Sequence, residues 1–379
     1  MKHFYFFLLS ALVCLSLSAQ SKVSGDSLAA DFHYLVKQLE ATHPDPYTGF
    51  GGKVFFHKQA FDLENELRSK PHTLQEFWDK SMAFLSFIQD GHTYLFSLAP
   101  KQRQEQSYLP VGFRCIPDGL IVQSLPAAHQ DLLGSLLTGI NGKSMDELLV
   151  RTASLFACEN LYNRYSVFCR NVARKQFMQQ LLPDLEDTVC LNLRTPDGKE
   201  MTLEQHFMDN EDLRKAEKAS LPSWEGCPEE QMAYRFIDKK KEVMMFKVNS
   251  IMARDNFEYM YKYMKGDLFR QMEFYYQNAL RKEMPADTLQ AIHALPSFSG
   301  TFATMLKEMK KNRSEYLIID LRGNSGGWTP IVLATLYQLY GDKYLQEDMD
   351  TEYYRIVSPL YMNKLEVTLE EFNKRYGTD

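Results

Sequence analysis

The run Tyr-Leu-Ile-Ile-Asp-Leu-Arg-Gly-Asn-Ser-Gly-Gly at 316–327 constrains the fold of this chain more than any other stretch. Leu317, Ile318 and Ile319 form a short aliphatic run of the kind expected from a strand buried on both faces, which predicts a parallel sheet covered by helices. Asp320, Arg322 and Asn324 crowd the end of that strand, and Gly326 and Gly327 permit positive φ or a close backbone approach. An amphipathic stretch over 329–340 follows directly, so the pattern is strand, polar glycine-rich turn, helix. Ligands in open α/β sheets sit at the carboxyl ends of strands beside such helix N-termini.

Gly323 to Gly327 also spell G-x-S-x-G, the signature of a nucleophile elbow. An elbow of that type needs its histidine after the serine, and the last histidine here is His293. The likeness to the GDSGG of trypsin-like proteases fails for a different reason. That fold is all-β, whereas here a strand feeds a helix. Ser325 is therefore read as a turn residue.

The chain has 379 residues, 45% of them hydrophobic, enough for two or three domains. A net charge of -6 leaves no basic footprint for nucleic acid, and Lys239, Lys240 and Lys241 read as a solvated turn before a strand. Lys2, an apolar run over 4–17, and Ser18-Ala19 ahead of Gln20 predict a secretory signal peptide over 1–19, with export to the periplasm or the extracellular space. The run is too short to span a bilayer, and no other segment is apolar enough to do so. Beyond Cys14 the cysteines are Cys115, Cys158, Cys169, Cys190 and Cys227, an odd number without a C-x-x-C pair. They are expected as buried thiols, with neither a disulfide framework nor a zinc site.

Apolar residues at helical spacing over 27–42 end at His43-Pro44, a second helix is expected over 54–69, and Thr73 with Glu76 makes a capping box for a third. These compose an N-terminal helical unit over 20–100, closed by Asp90-Gly91-His92-Thr93 and a strand over 94–97. Short strands over 109–115, 119–124 and 136–140, a helix over 144–155 and a strand pair over 188–203 predict a β-rich module over 105–205. Residues 206–232 read as a linker. Residues 233–379 read as an α/β core, in which the aromatic stretch 257–284 packs helices together.

Three features stand in one order: D-G-H-T at 90–93, the LPVGF, DGLIV and GINGKSMDEL segments over 109–148, and LIIDLRGNSGG at 317–327. In that order they resemble the tail-specific, or C-terminal processing, serine peptidases, in particular the branch similar to the tricorn protease core. The resemblance implies a multidomain α+β and α/β architecture with a helical N-terminal unit, a PDZ-like module and a mixed peptidase core. It implies a polypeptide substrate or peptide ligand, and no cofactor or metal. It makes His92 the general base and brings Gly326 and Gly327 to the oxyanion hole. Asp90 then holds the His92 loop, and Asp320, Arg322 and Asn324 support the glycine turn. Gly91 stands where tricorn has a serine. The nucleophilic serine belongs on a later strand-to-helix junction in this family, and Ser358, followed by Pro359, does not match that context. The expectation is a secreted serine-type peptidase whose core is incomplete and whose nucleophile is missing from this chain. The alternative is a peptide-binding protein that uses the PDZ-like module without catalysis.

Overall fold

The computed structural model describes residues 21–95, 107–222, 231–263, 265–324, 326–347, 354 and 356–378. The signal peptide over 1–19, Ser325, Cys227 and residues 96–97 of the expected strand lie outside the described residues. The chain divides into two compact units, one from the residues up to Leu221 together with those after Glu352, the other from Pro222–Glu352. The architecture is multidomain α+β.

The first unit begins with helices Gly25–Thr42, Lys53–Arg68 and Leu74–Ser86. Leu28, Phe32, Val36 and Leu39 fall on one face of the first helix and are buried. The helix stops ahead of Pro44, which has no N–H to continue the ladder. The third helix carries the expected capping box: Glu76 N donates to Thr73 Oγ1 at 3.1 Å, and Thr73 N donates to the Glu76 carboxylate at 2.8 Å. Phe84 packs against Phe32 and Phe50 with ring centroids 5.1 and 4.8 Å apart. Strands β1 (Lys22–Val23) and β2 (His72–Thr73) pair antiparallel beside these helices. Tyr94 and Leu95, expected in a strand, carry none.

The same unit continues as an antiparallel sheet of β3 (Gly112–Ile116), β4 (Gly119–Pro126), β5 (Leu136–Ile140), β6 (Lys143–Ser144), β7 (Thr188–Arg194), β8 (Glu200–His206) and β9 (Lys218–Ser220). Its order is β3-β4-β5-β7-β8, with β6 on β5 and β9 on β4. Val189, Leu191 and Leu193 alternate inward along β7 and meet Leu148 and Phe168 from the helices Met145–Leu155 and Leu161–Asn171. The β5–β6 hairpin turns at Asn141 (φ 48°) and Gly142 (φ 74°), the pair of positive φ values that a two-residue hairpin of matching twist requires. The reading of 206–232 as a linker needs correction where it is described. Asn210–Lys215 is helical and β9 pairs with the end of β4 over Ser124–Pro126, past its pairing with β5 at Ile121, where main-chain groups are open to a polar segment.

The second unit holds β10 (Met232–Phe236), β11 (Val243–Val248) and β12 (Tyr316–Asp320) in that order. β11 runs antiparallel to β10 and parallel to β12. The β11–β12 crossover contains helices Arg254–Tyr263, Lys265–Tyr275, Thr288–His293 and Phe298–Asn312. Parallel pairing is as expected for 317–319, but burial on both faces is not. Among the described residues β12 lies at the sheet edge, with Ile318 39% and Ile319 46% exposed, while β11 beside it is buried from Met244 to Val248. Phe246 meets Phe298 and Phe302 of the last crossover helix, so that helix covers β11 first.

The aromatic stretch divides in two. Phe257, Met260, Leu268, Met272, Tyr275 and Tyr276 form a core, whereas Tyr259, Tyr263, Phe269 and Phe274 point to solvent. Helical periodicity separates them onto opposite faces. Helices Pro359–Leu365 and Leu369–Tyr376 follow, among the described residues that group with the first unit.

Candidate functional site

Two clusters of polar groups gather the residues singled out by sequence, one in each unit. In the first, Asp90 follows the third N-terminal helix and folds its carboxylate over the next turn. Its Oδ1 accepts from His92 N at 3.0 Å and its Oδ2 from Thr93 Oγ1 at 2.6 Å. Thr93 N closes the turn on the Asp90 carbonyl at 2.9 Å. This is the local side-chain-to-backbone pattern for which Asp is suited in turns. His43, at the stop of the first helix, places Nε2 3.4 Å from Asp90 Oδ2. Partial burial pushes the Asp90 carboxyl up, but the bonds from Thr93, His92 N and His43 outweigh it and hold the group below its usual value.

The His92 ring is 95% exposed and turns Nδ1 toward two carboxylates, Asp90 Oδ1 and Glu159 Oε1, each 3.8 Å away. Glu159 is in turn held by Gly91 N at 3.0 Å. A Cβ at Gly91 would stand 3.0 Å from that same Glu159 oxygen, so glycine leaves room for the carboxylate. Nothing in the sequence pointed to Glu159 or His43. Glu159 lies between two helices of the β-rich module and reaches His92 only because that module packs on the N-terminal helices, where Ser86 Oγ also donates to Ser154 O at 3.2 Å.

The second cluster sits at the carboxyl end of β12. Asp320 is 4% exposed and receives Arg322 twice, Nε to Oδ1 at 2.8 Å and Nη2 to Oδ2 at 3.0 Å. Lys247, its register partner on β11, stands 3.3 Å from Oδ2 and also donates to the Arg322 carbonyl. Asn324 donates to Val248 O at 2.9 Å and accepts from Gly326 N at 2.7 Å, which locks the turn onto β11. Gly326 (φ 84°) and Gly327 (φ 149°) then run parallel to Ile251, with Ile251 N on Gly326 O and Trp328 N on Ile251 O, both at 2.8 Å. A Cβ on Gly327 would lie 2.1 Å from Ile251 O, so this position admits only glycine. The Gly326 amide is engaged by Asn324, whereas the bridge to Ile251 leaves the Gly327 N–H out of its bonding. Ser358 is 5% exposed and caps helix Pro359–Leu365, its Oγ accepting from Tyr361 N at 3.1 Å.

The described cysteines, Cys115, Cys158, Cys169 and Cys190, are free thiols, and Cys115 is exposed instead of buried. Among the described residues no helix is long and apolar enough to cross a membrane.

Residues 291–368 match the family model for peptidase family S41, a segment that contains Asp320, Arg322, Asn324, Gly326 and Gly327 but not His92. The fold is similar to that of mature CPAF complexed with lactacystin, at 14% identity and a TM-score of 0.51, over 82% of this chain and 58% of that one. The structure of mature CPAF alone is similar to the same degree, at 13% identity and a TM-score of 0.51, over 82% of this chain and 57% of that one. The chain thus spans less than two thirds of the length of these structures. A search of curated proteins found no match. Residues 291–368 are thus similar to peptidase family S41, and the likeness to CPAF is one of fold.

Proposed function

We propose that the chain is a serine-type peptidase of the tail-specific class acting on polypeptides, exported by its N-terminal segment. His92 serves as general base. The observation that carries this reading is the orientation of the His92 imidazole, whose Nδ1 faces Asp90 and Glu159 at 3.8 Å. A carboxylate beside Nδ1 favours the imidazolium formed when Nε2 takes a proton from a hydroxyl. The oxyanion donor is assigned to the amide of Gly327 in preference to that of Gly326, which already donates to Asn324. Asp320, Arg322 and Lys247 hold the turn that presents it.

The nucleophile is not assigned within this chain, since Ser358 is committed to capping a helix. The chain expressed alone should then neither hydrolyse an unstructured polypeptide nor be labelled by a serine-directed phosphonate. Hydrolysis that disappears in Ser325→Ala would reverse this part of the assignment.

The second reading is a peptide binder without catalysis. It is favoured by β3, an edge strand of the antiparallel sheet flanked by the helix Leu161–Asn171, in the module read as PDZ-like. Peptide addition at that edge would draw on main-chain pairing. Fluorescence anisotropy with a labelled extended peptide tests it, and loss of binding on replacing Arg114 by proline in β3 is the expected signature.

A further inference from the structure

The His92 cluster is also built as a site for a metal ion. We propose that Asp90, His92 and Glu159 together bind a divalent transition cation of the zinc type, with water completing the coordination. The ligand atoms of these three residues all lie within 4.8 Å of one another, and His92 Nδ1 is 3.8 Å from each carboxylate oxygen. Zinc takes imidazole nitrogen and carboxylate oxygen together, at bonds of about 2.0–2.2 Å. One imidazole with two carboxylates and an open position is a donor set that suits zinc, while calcium requires six to eight oxygens.

Charge argues in the same direction. Among the described residues, the ion-pair partners of Asp90 and Glu159 within 4.0 Å are His43 and His92, with no lysine or arginine. Two carboxylates therefore converge on one imidazole, and a cation between them offsets their repulsion. The carboxylates are already oriented: Asp90 by Thr93, His92 N and His43, and Glu159 by Gly91 N. His43 is an orienting partner and not a ligand. Its Nδ1 accepts from Asp45 N at 3.2 Å, so in the neutral ring the proton resides on Nε2 and points at Asp90.

As a metal site this stands on geometry alone, and only its consequence for catalysis rests on His92 being the base. Metal on Nδ1 displaces the carboxylates from that nitrogen and withdraws charge from the ring, which lowers the basicity of Nε2. Zinc bound there would oppose the general-base role assigned to His92.

The test is direct titration of the untagged chain with zinc chloride by calorimetry, checked by competition with a chromophoric chelator, so that it needs no enzymatic activity. One equivalent should bind at micromolar concentration or tighter, with magnesium and calcium failing to compete. Glu159→Gln and His92→Ala should each weaken binding at least tenfold. Glu40→Gln, which neutralises the half-buried carboxylate 3.0 Å from His57 Nε2, should leave it unchanged. Unaltered circular dichroism in each variant separates lost ligands from lost fold. Absence of binding below the millimolar range, or binding indifferent to both Glu159 and His92, overturns the proposal whether or not the chain proves to be a peptidase.

Discussion

Lys247 and Asp320 face each other as register partners across the parallel pair β11–β12, 3.3 Å apart, with side chains only 8% and 2% exposed. A buried carboxylate at the end of a strand is costly unless it is matched, and here Lys247 and Arg322 both match it. Lys247→Met should destabilise the second unit by about 3–5 kcal/mol, the range for breaking a buried pair on one side. Arg322→Ala should cost less, because its side chain is 64% exposed and Lys247 remains. Chemical denaturation of the two variants against the parent chain ranks them.

The glycine turn separates two kinds of constraint. Gly327→Ala drives a Cβ into the Ile251 carbonyl, so the turn must shift and the bridge to Ile251 should be lost. Gly326→Ala meets nothing within 4 Å and suffers only its positive φ, at about 1–2 kcal/mol. Hydrogen exchange at Ile251 and Trp328 should quicken strongly in the first variant and little in the second.

Asp255 caps the helix Phe298–Asn312 from a neighbouring helix, accepting from Phe298 N at 2.6 Å and Ser297 Oγ at 3.1 Å. Burial pushes its carboxyl up, but the bonds from Ser299, Phe298 N and Ser299 N outweigh that and hold it below the ordinary range. With a folded pKa lower than the unfolded one, its stabilisation is present above the unfolded pKa and is lost as pH falls through the folded value. Thermal melts from pH 7 to pH 3 should show the second unit weakening on acidification. Asp255→Asn should be less stable at pH 7 and have a flatter pH profile.

Among the described thiols, Cys115 is expected to react first. It is exposed, and a hydrogen bond from Cys169 stabilises its thiolate and lowers its pKa, while burial raises that of Cys158. Limited iodoacetamide at neutral pH followed by peptide mapping should find Cys115 alkylated ahead of Cys158, and Cys169→Ala should slow the reaction.

Much of the local structure was legible because short-range chemistry decides it. The capping boxes at Thr73 and Ser144, the Asn141-Gly142 hairpin and the strand over 243–248 each follow from residues a few positions apart. The strand–turn–helix at 316–340 was readable for the same reason, as was its parallel pairing. What tertiary structure alone decided depends on partners distant in sequence. Ile318 and Ile319 are as aliphatic as core residues, yet β12 takes the sheet edge, and no local pattern records which strand will be outermost. The aromatics over 257–284 carry no mark of which are core, since the helix face that meets Ala291 and Ile292 is chosen by packing. Glu159 reaches His92 across 67 residues of chain through the docking of the β-rich module on the N-terminal helices, and Lys247 reaches Asp320 across the whole crossover. Side-chain chemistry names the groups that can act, and the long-range pairing of elements determines which of them meet.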